Sequence, residues 1–190
     1  DSIVRLEDIA KIEFGPVSEK TLFKAQSKNA LNLQAVGLGI YARSGASNVE
    51  LSREIKNAEN RAKKRGLKLA IRLNGTSDLR HENSQIMQEF KHVQFYDYTA
   101  IPNRRNLPTN YHLTFSRKEN NNSDVLKAIK NGLNVAVVFE KYLPKTFLGL
   151  PVFNGDETDL RFKDPKNHIV GLVAKGKAKK DHSGFTVNQA

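Results

Sequence analysis

The chain has 190 residues, 38% of them apolar and 27% charged, a length and balance that allow a buried core without covalent staples and exclude wholesale disorder. It contains no cysteine, which excludes disulfides, thiolate nucleophiles, zinc ribbons and thiolate-held iron–sulfur clusters within the chain. With 31 Lys and Arg against 20 Asp and Glu the net charge is +11, favouring polyanionic partners and nucleic acid first among them. No apolar run reaches the roughly 18 residues of a membrane span, and Asp1-Ser2-Ile3-Val4-Arg5 does not resemble a signal peptide, so no membrane partner and a cytoplasmic location are expected.

In chain order, residues 3–14 alternate apolar and polar side chains until Gly15-Pro16 breaks the pattern, and residues 31–41 are apolar with Gly37 and Gly39 among them, which suits buried turns. Residues 1–46 are therefore expected to be an irregular segment packed on a single α/β domain that spans 1–190. Ser47-Asn48-Val49-Glu50 has the form of a capping box. Leu51, Ile55, Ala58 and Ala62 follow at helical spacing, and Gly66 is placed to end the helix. After Gly66 the pattern predicts strands at 67–73, 93–98, 111–115, 134–139 and 169–173. Helices are predicted at 84–91, through Ile86, Met87 and Phe90, and at 123–131, with Ser123 as cap, Val125, Leu126 and Ile129 inward and Gly132 as terminator. The stretch from Tyr98 to Tyr111, with Pro102 and Pro108, reads as a loop. Strands alternating with helices predict an α/β fold, a mainly parallel sheet with crossover helices, with closure into a partial or irregular barrel as a variant.

Ligands of parallel sheets gather where strands end, because loop side chains and backbone donors converge there. The residues after the predicted strands are polar: Asn74, Thr76, Ser77, Asp78 and Arg80; Asp97, Tyr98 and Thr99; Ser116, Arg117, Glu119 and Asn120; then Glu140. Among them Asp78 and Asp97 are candidate catalytic carboxylates, for general-base work or a metal ion, and Arg80 and Arg117 candidate clamps on an anionic substrate. The competing reading is a structural Asp–Arg ion pair. Gly171 to Lys177 fits part of a phosphate-binding loop, but Ala178 stands where a Ser or Thr would hold magnesium, and Gly171 lies within an apolar strand. The five His residues, at 81, 92, 112, 168 and 182, lack metal-ligand spacing, so no metal site is assigned and no cofactor is identified.

The positive charge is uneven. Residues 1–20 carry three basic and five acidic side chains, 50–68 seven against three, and 161–182 seven against two. Arg61, Lys63, Lys64 and Arg65, then Lys175, Lys177, Lys179 and Lys180, and the loop pair Arg104 and Arg105 are accordingly the candidate contacts to nucleic-acid phosphates. The competing reading of the helical set is a solvated face with cations near a helix C-terminus.

The stretches Arg72 to Arg80, Phe95 to Thr99, Asn110 to Ser116, Gly155-Asp156 with Asp159 to Phe162, and Val170 to Ala178 resemble, in that order, a family of uncharacterised phage- and plasmid-encoded proteins. The resemblance covers roughly residues 70–185 and implies a mobile-element origin without an activity to carry over. Its members are marked by N-terminal cysteines around a Cys-Tyr-Ala-like segment, where this chain has Gly39-Ile40-Tyr41-Ala42-Arg43. Chemistry that depends on such cysteines is closed to it. Binding therefore leads: a nucleic-acid-binding accessory protein of a phage or plasmid is expected. The alternatives are an enzyme acting on a phosphate-containing substrate at the strand ends and an inhibitor that docks on a partner protein.

Overall fold

In a computed structural model the described residues are 37–39, 48–75, 77–82 and 84–188. They fall in the compact unit Ala35–Ala190. The expectations for residues 1–36 and 40–47, including the Ser47 side of the capping box, lie outside the described residues.

Among the described residues nine strands form one sheet: β1 (Gly37–Gly39), β2 (Ala70–Arg72), β3 (Gln94–Thr99), β4 (Tyr111–Ser116), β5 (Asn134–Phe139), β6 (Thr146–Phe147), β7 (Leu150–Asn154), β8 (Ile169–Val173) and β9 (Thr186–Val187). Their order is β1-β2-β3-β4-β5-β8-β7-β6, with β9 beside the end of β5. All pairings are parallel except the β6–β7 hairpin. The fold is α/β as expected, but the sheet is open: its outer strands are β1 and, at the other side, β6, whose reversed direction ends the parallel run.

Because strand order advances in one direction from β1 to β5, right-handed crossovers place the helices on the same face. Helix α1 (Asn48–Lys64) buries Ile55 and Ala58, and Gly66 ends it at φ 67°, where the Leu67 N–H reaches back to the Ala62 carbonyl. Helix α2 (Gln85–Glu89) is capped by Ser84, whose hydroxyl accepts from Ile86 N. Helix α3 (Asn122–Lys130) starts one residue before the expected point, and Asn121, not Ser123, stands at the cap position. There the Asn121 side chain closes the preceding turn between Ser116 O and Lys118 N. Val125 and Ala128 face inward, whereas Leu126 is exposed, because the inward stripe runs through 125, 128 and 129.

Under these helices lie two apolar clusters. Ile55, Ile71, Ile86, Met87, Phe90, Phe95 and Leu113 form one, and Phe115, Val125, Val135, Val137, Phe139 and Ile169 the other. Each buried Phe contributes roughly 2 kcal/mol by removal from water. The opposite face of the sheet is crossed by residues 155–164, whose Leu160 and Phe162 pack on Ala70 and Tyr96.

The β6–β7 hairpin was not anticipated. Its two-residue turn puts both Leu148 (φ 50°) and Gly149 (φ 78°) in the left-handed region, where Asn-Gly is the usual pair. A leucine there costs roughly 1 kcal/mol.

Candidate functional site

At the C-terminal ends of β2 and β3 a polar network is buried on the helical side. Asp97, fully buried in β3, accepts from the Asn74 backbone N–H (2.7 Å), Asn74 Nδ2 (3.3 Å) and the Tyr111 hydroxyl (2.8 Å). Burial pushes its carboxyl up to about 6, against the pull of those donors and of Arg72 and Arg104. Burial and the Asp97 charge likewise push the Tyr111 phenol up.

Arg104 is interior too. Its Nε and Nη2 fork onto Glu82 at 2.7 and 2.8 Å, Nη2 also reaches the Tyr111 hydroxyl at 3.3 Å, and Nη1 lies 3.5 Å from Asp78 Oδ1. Burial alone would raise the Glu82 carboxyl, but the Arg104 fork holds it below its ordinary value. Asp78 accepts from Thr99 Oγ1 (2.7 Å) and Ala100 N (2.6 Å), fixing the chain as it leaves β3. Asn74 Oδ1 accepts from Ser77 Oγ and Leu79 N, and His81 Nε2 lies 3.2 Å from it. Burial and the nearby Arg104 charge lower the His81 pKa.

Asp78 and Asp97 thus belong to one network, in which their oxygens hold backbone and hydroxyl groups of the 74–82 and 99–104 loops. Arg80 stands at its rim, exposed and 3.8 Å from Glu82. Arg117 points elsewhere: its Nη1 donates to the carbonyls of Gly184 and Phe185, tying the end of β4 to the C-terminal segment. The four candidate catalytic residues are not gathered around one open space. Among the described residues no group of three His, Asp or Glu side chains is arranged to hold a metal ion.

A second polar group lies on the other face of the sheet. Arg72 stacks 4.8 Å from the Tyr98 ring centroid, and the Tyr98 hydroxyl donates to Asp159. Arg161 is fully buried with Nη2 on Gly155 O, while Nη1 lies 3.4 Å from Asp164 Oδ2. Its Nε and Nη1 and both Asp164 oxygens make no hydrogen bond. Burial pushes the Asp164 carboxyl up to about 6, against the Arg161 charge.

Strand polarity decides where the candidate phosphate contacts sit. Helix α1 leads into the start of β2, and the His92–Glu59 bond pins its second half beside the turn that enters β3. Arg61, Lys63, Lys64 and Arg65 therefore lie at the N-terminal edge of the parallel strands. Lys175, Lys177, Lys179 and Lys180 follow β8, in and beside the 3-10 turn Gly176–Lys180, at the opposite edge. The two sets do not share a face. Arg104 presents no charge to solvent, whereas Arg105 is exposed.

The N-terminal edge gathers further cations that sequence patterning did not single out. Lys68 precedes β2, Lys91 precedes β3, Lys130 ends α3 before β5, and Lys163 and Lys166 lead into β8, where the bonds of Asn134 to Pro165 O and His168 N fix the chain. Arg61, Lys63, Lys64, Arg65 and these five are all exposed, and none is ion-paired among the described residues. The carboxylates near this edge are occupied: Glu59 by His92, Glu89 by Ser52 and Lys56, and Asp164 beside Arg161. At the C-terminal edge the lysines are interleaved with acids. Lys175 pairs with Asp156 at 2.8 Å, Asp181 caps Ser183 and Thr186, and Glu119 is exposed.

The family model described as Gene product 88 matches residues 40–189, which include the buried network and both edges. No curated protein and no solved structure matches the chain. No helix among the described residues is long and apolar enough to cross a membrane.

Proposed function

We propose that this chain, which belongs to the Gene product 88 family, binds nucleic acid along the N-terminal edge of its parallel sheet, as an intracellular accessory protein of a phage or plasmid. One observation carries the reading: nine exposed cations, Arg61, Lys63, Lys64, Arg65, Lys68, Lys91, Lys130, Lys163 and Lys166, unpaired among the described residues, lie on that edge. From β2 to β8 the sheet advances four strand spacings, about 19 Å at 4.8 Å each, a span that meets many phosphates of a duplex carrying one charge per roughly 1.7 Å of axis. Helix-terminal placement accounts for Arg61, Lys63, Lys64 and Lys130, since cations are favoured beside helix C-termini. Lys91 follows the Phe90 C-cap of α2 and Lys163 ends the 3-10 turn Arg161–Lys163, whereas Lys68 and Lys166 are on connections, where that explanation does not apply.

Neutralised phosphates release counterions, so affinity must fall with salt by about 0.9 in the logarithmic slope per phosphate contacted. Fluorescence anisotropy with labelled duplex and single-stranded DNA and RNA over a salt series tests this. Replacing Arg61, Lys63, Lys64 and Arg65 by Glu should flatten the slope by about 3.6 and weaken binding roughly a hundredfold at low salt. Replacing Lys177, Lys179 and Lys180 by Glu should change it by less than about threefold, because that edge carries interleaved acids. A flat salt response, or the reverse order of effects, refutes the reading. The alternative of an enzyme using Asp78 and Asp97 has weaker support, since their oxygens are taken up by Asn74, Tyr111, Thr99 and Ala100.

A further inference from the structure

We infer that the basic edge is divided into two halves that hold the two strands of a duplex, with one of its grooves lying over the uncharged entry to β4. This rests on the proposed nucleic-acid reading and narrows the ligand to double-stranded DNA or RNA. Strand order sets the division. Arg61, Lys63, Lys64, Arg65 and Lys68 precede β2 and Lys91 precedes β3, whereas Lys130 precedes β5 and Lys163 and Lys166 precede β8. Strand β4 lies between β3 and β5, and the residues that lead into it, Asn106-Leu107-Pro108-Thr109-Asn110, carry no charge. The nearest members of the two halves therefore enter strands two spacings apart, about 10 Å at roughly 4.8 Å each.

The divider is fixed, and its polar groups are taken. Asn110 Nδ2 donates to the carbonyls of Phe90 and Val93 at 3.1 Å, the Asn110 carbonyl accepts from Phe95 N and Gln94 Nε2, and Pro108 O accepts from Tyr111 N. Phosphates are thus drawn to either side of β4 and not onto it. A duplex offers two rows of phosphates on opposite sides of a groove roughly 6 or 12 Å wide, a separation that lysine side chains on the two halves can reach together. A single strand has one row, which one half suffices to neutralise. Single-strand binding also draws on bases stacked against aromatic rings. The rings of Phe90, Phe95 and Tyr111, which flank the entries to β3 and β4, are instead buried in the core under the helices.

The test compares the full chain on duplexes of about 20 base pairs, in DNA and in RNA, with their component strands alone, by fluorescence anisotropy over a salt series. With nine cations engaged, the logarithmic salt slope on a duplex should reach about 8; with the six of the first half engaged, that on a single strand should reach about 4. At least one of the two duplexes should be bound about tenfold tighter than its strands. Lys130→Gln, Lys163→Gln and Lys166→Gln together remove the second half, and all three positions are exposed, so the melting temperature should hold. The duplex slope should then fall by about 2.7 and the preference for the duplex to within about threefold, while single-strand affinity changes by less than about threefold. A duplex with uncharged methylphosphonate linkages throughout one strand gives the same readout on the unaltered protein: its slope should drop to the single-strand value. Equal affinity and slope on duplex and single strand, equal weakening of both by the triple substitution, or an undiminished slope on the methylphosphonate duplex overturns the two-strand arrangement and leaves the basic edge standing. Absence of salt-dependent binding to any of these ligands overturns both.

Discussion

Arg104→Met separates an interior role for this arginine from contact with a phosphate. The substitution keeps most of the side-chain length and removes the fork that meets Glu82 at 2.7 and 2.8 Å, together with the bond to the Tyr111 hydroxyl. The Glu82 side chain is only 8% exposed, so it would be left as a carboxylate with its main partner gone. Breaking a buried pair from one side costs about 3–5 kcal/mol. Arg80, 3.8 Å from Glu82 and more than half exposed, offsets part of that, which leaves about 3 kcal/mol. For a domain of this size that is a fall of roughly 6–12 °C in Tm. Adding Glu82→Gln should restore about 1–2 kcal/mol, because the double variant no longer strands a charge. Thermal and urea denaturation at neutral pH measure both, and DNA binding below the transition should match the unaltered protein. An Arg104→Met protein with unchanged Tm and weakened, less salt-dependent binding would refute the interior assignment and return Arg104 to the surface set.

Asp97 and Asp164 both have carboxyls pushed up to about 6 by burial, so each favours folding most when protonated. That contribution is complete below the unfolded carboxyl value and is lost as pH rises through about 6. Relative to Asp97→Asn, the unaltered protein should therefore lose on the order of 3 kcal/mol of stability between pH 4 and 7, read from urea midpoints; equal slopes would contradict the burial. Gly171→Ala places a Cβ 2.6 Å from Val152 Cγ1 and 2.8 Å from Leu143 Cδ2, and should cost about 1–3 kcal/mol in thermal unfolding. Arg161→Met should cost about 3 kcal/mol by stranding Asp164, whereas Arg161→Met with Asp164→Leu should lie within about 1 kcal/mol of the unaltered protein or above it, since the present pair leaves four buried polar atoms without hydrogen bonds.

The elements legible in the order of residues are those whose pattern is local. The apolar runs 134–139 and 169–173 are strands over those residues, and the stripe through Leu51, Ile55 and Ala58 is a helix closed at Gly66. Each is set by a side-chain period or by a glycine's access to positive φ, both of which act within a few residues. The β6–β7 hairpin escaped because Leu148-Gly149 lacks the Asn or Asp that marks such a turn and Pro151 interrupts the strand pattern. Arg104 escaped because its partner Glu82 comes from another segment, and Arg161, bonded within its own segment to the Gly155 carbonyl, because a lone arginine in sequence carries no sign of burial.

Tertiary structure alone decided which cations stand together. Lysine clusters at 61–65 and 175–180 look equivalent in sequence, yet a parallel strand has a direction, and one cluster precedes a strand while the other follows one. Direction and strand order sent them to opposite edges and brought Lys68, Lys91, Lys130, Lys163 and Lys166 beside the first, since they enter strands that the sheet aligns. Residues far apart in the chain become neighbours only through strand pairing, and pairing partners are chosen by the packing of the whole sheet.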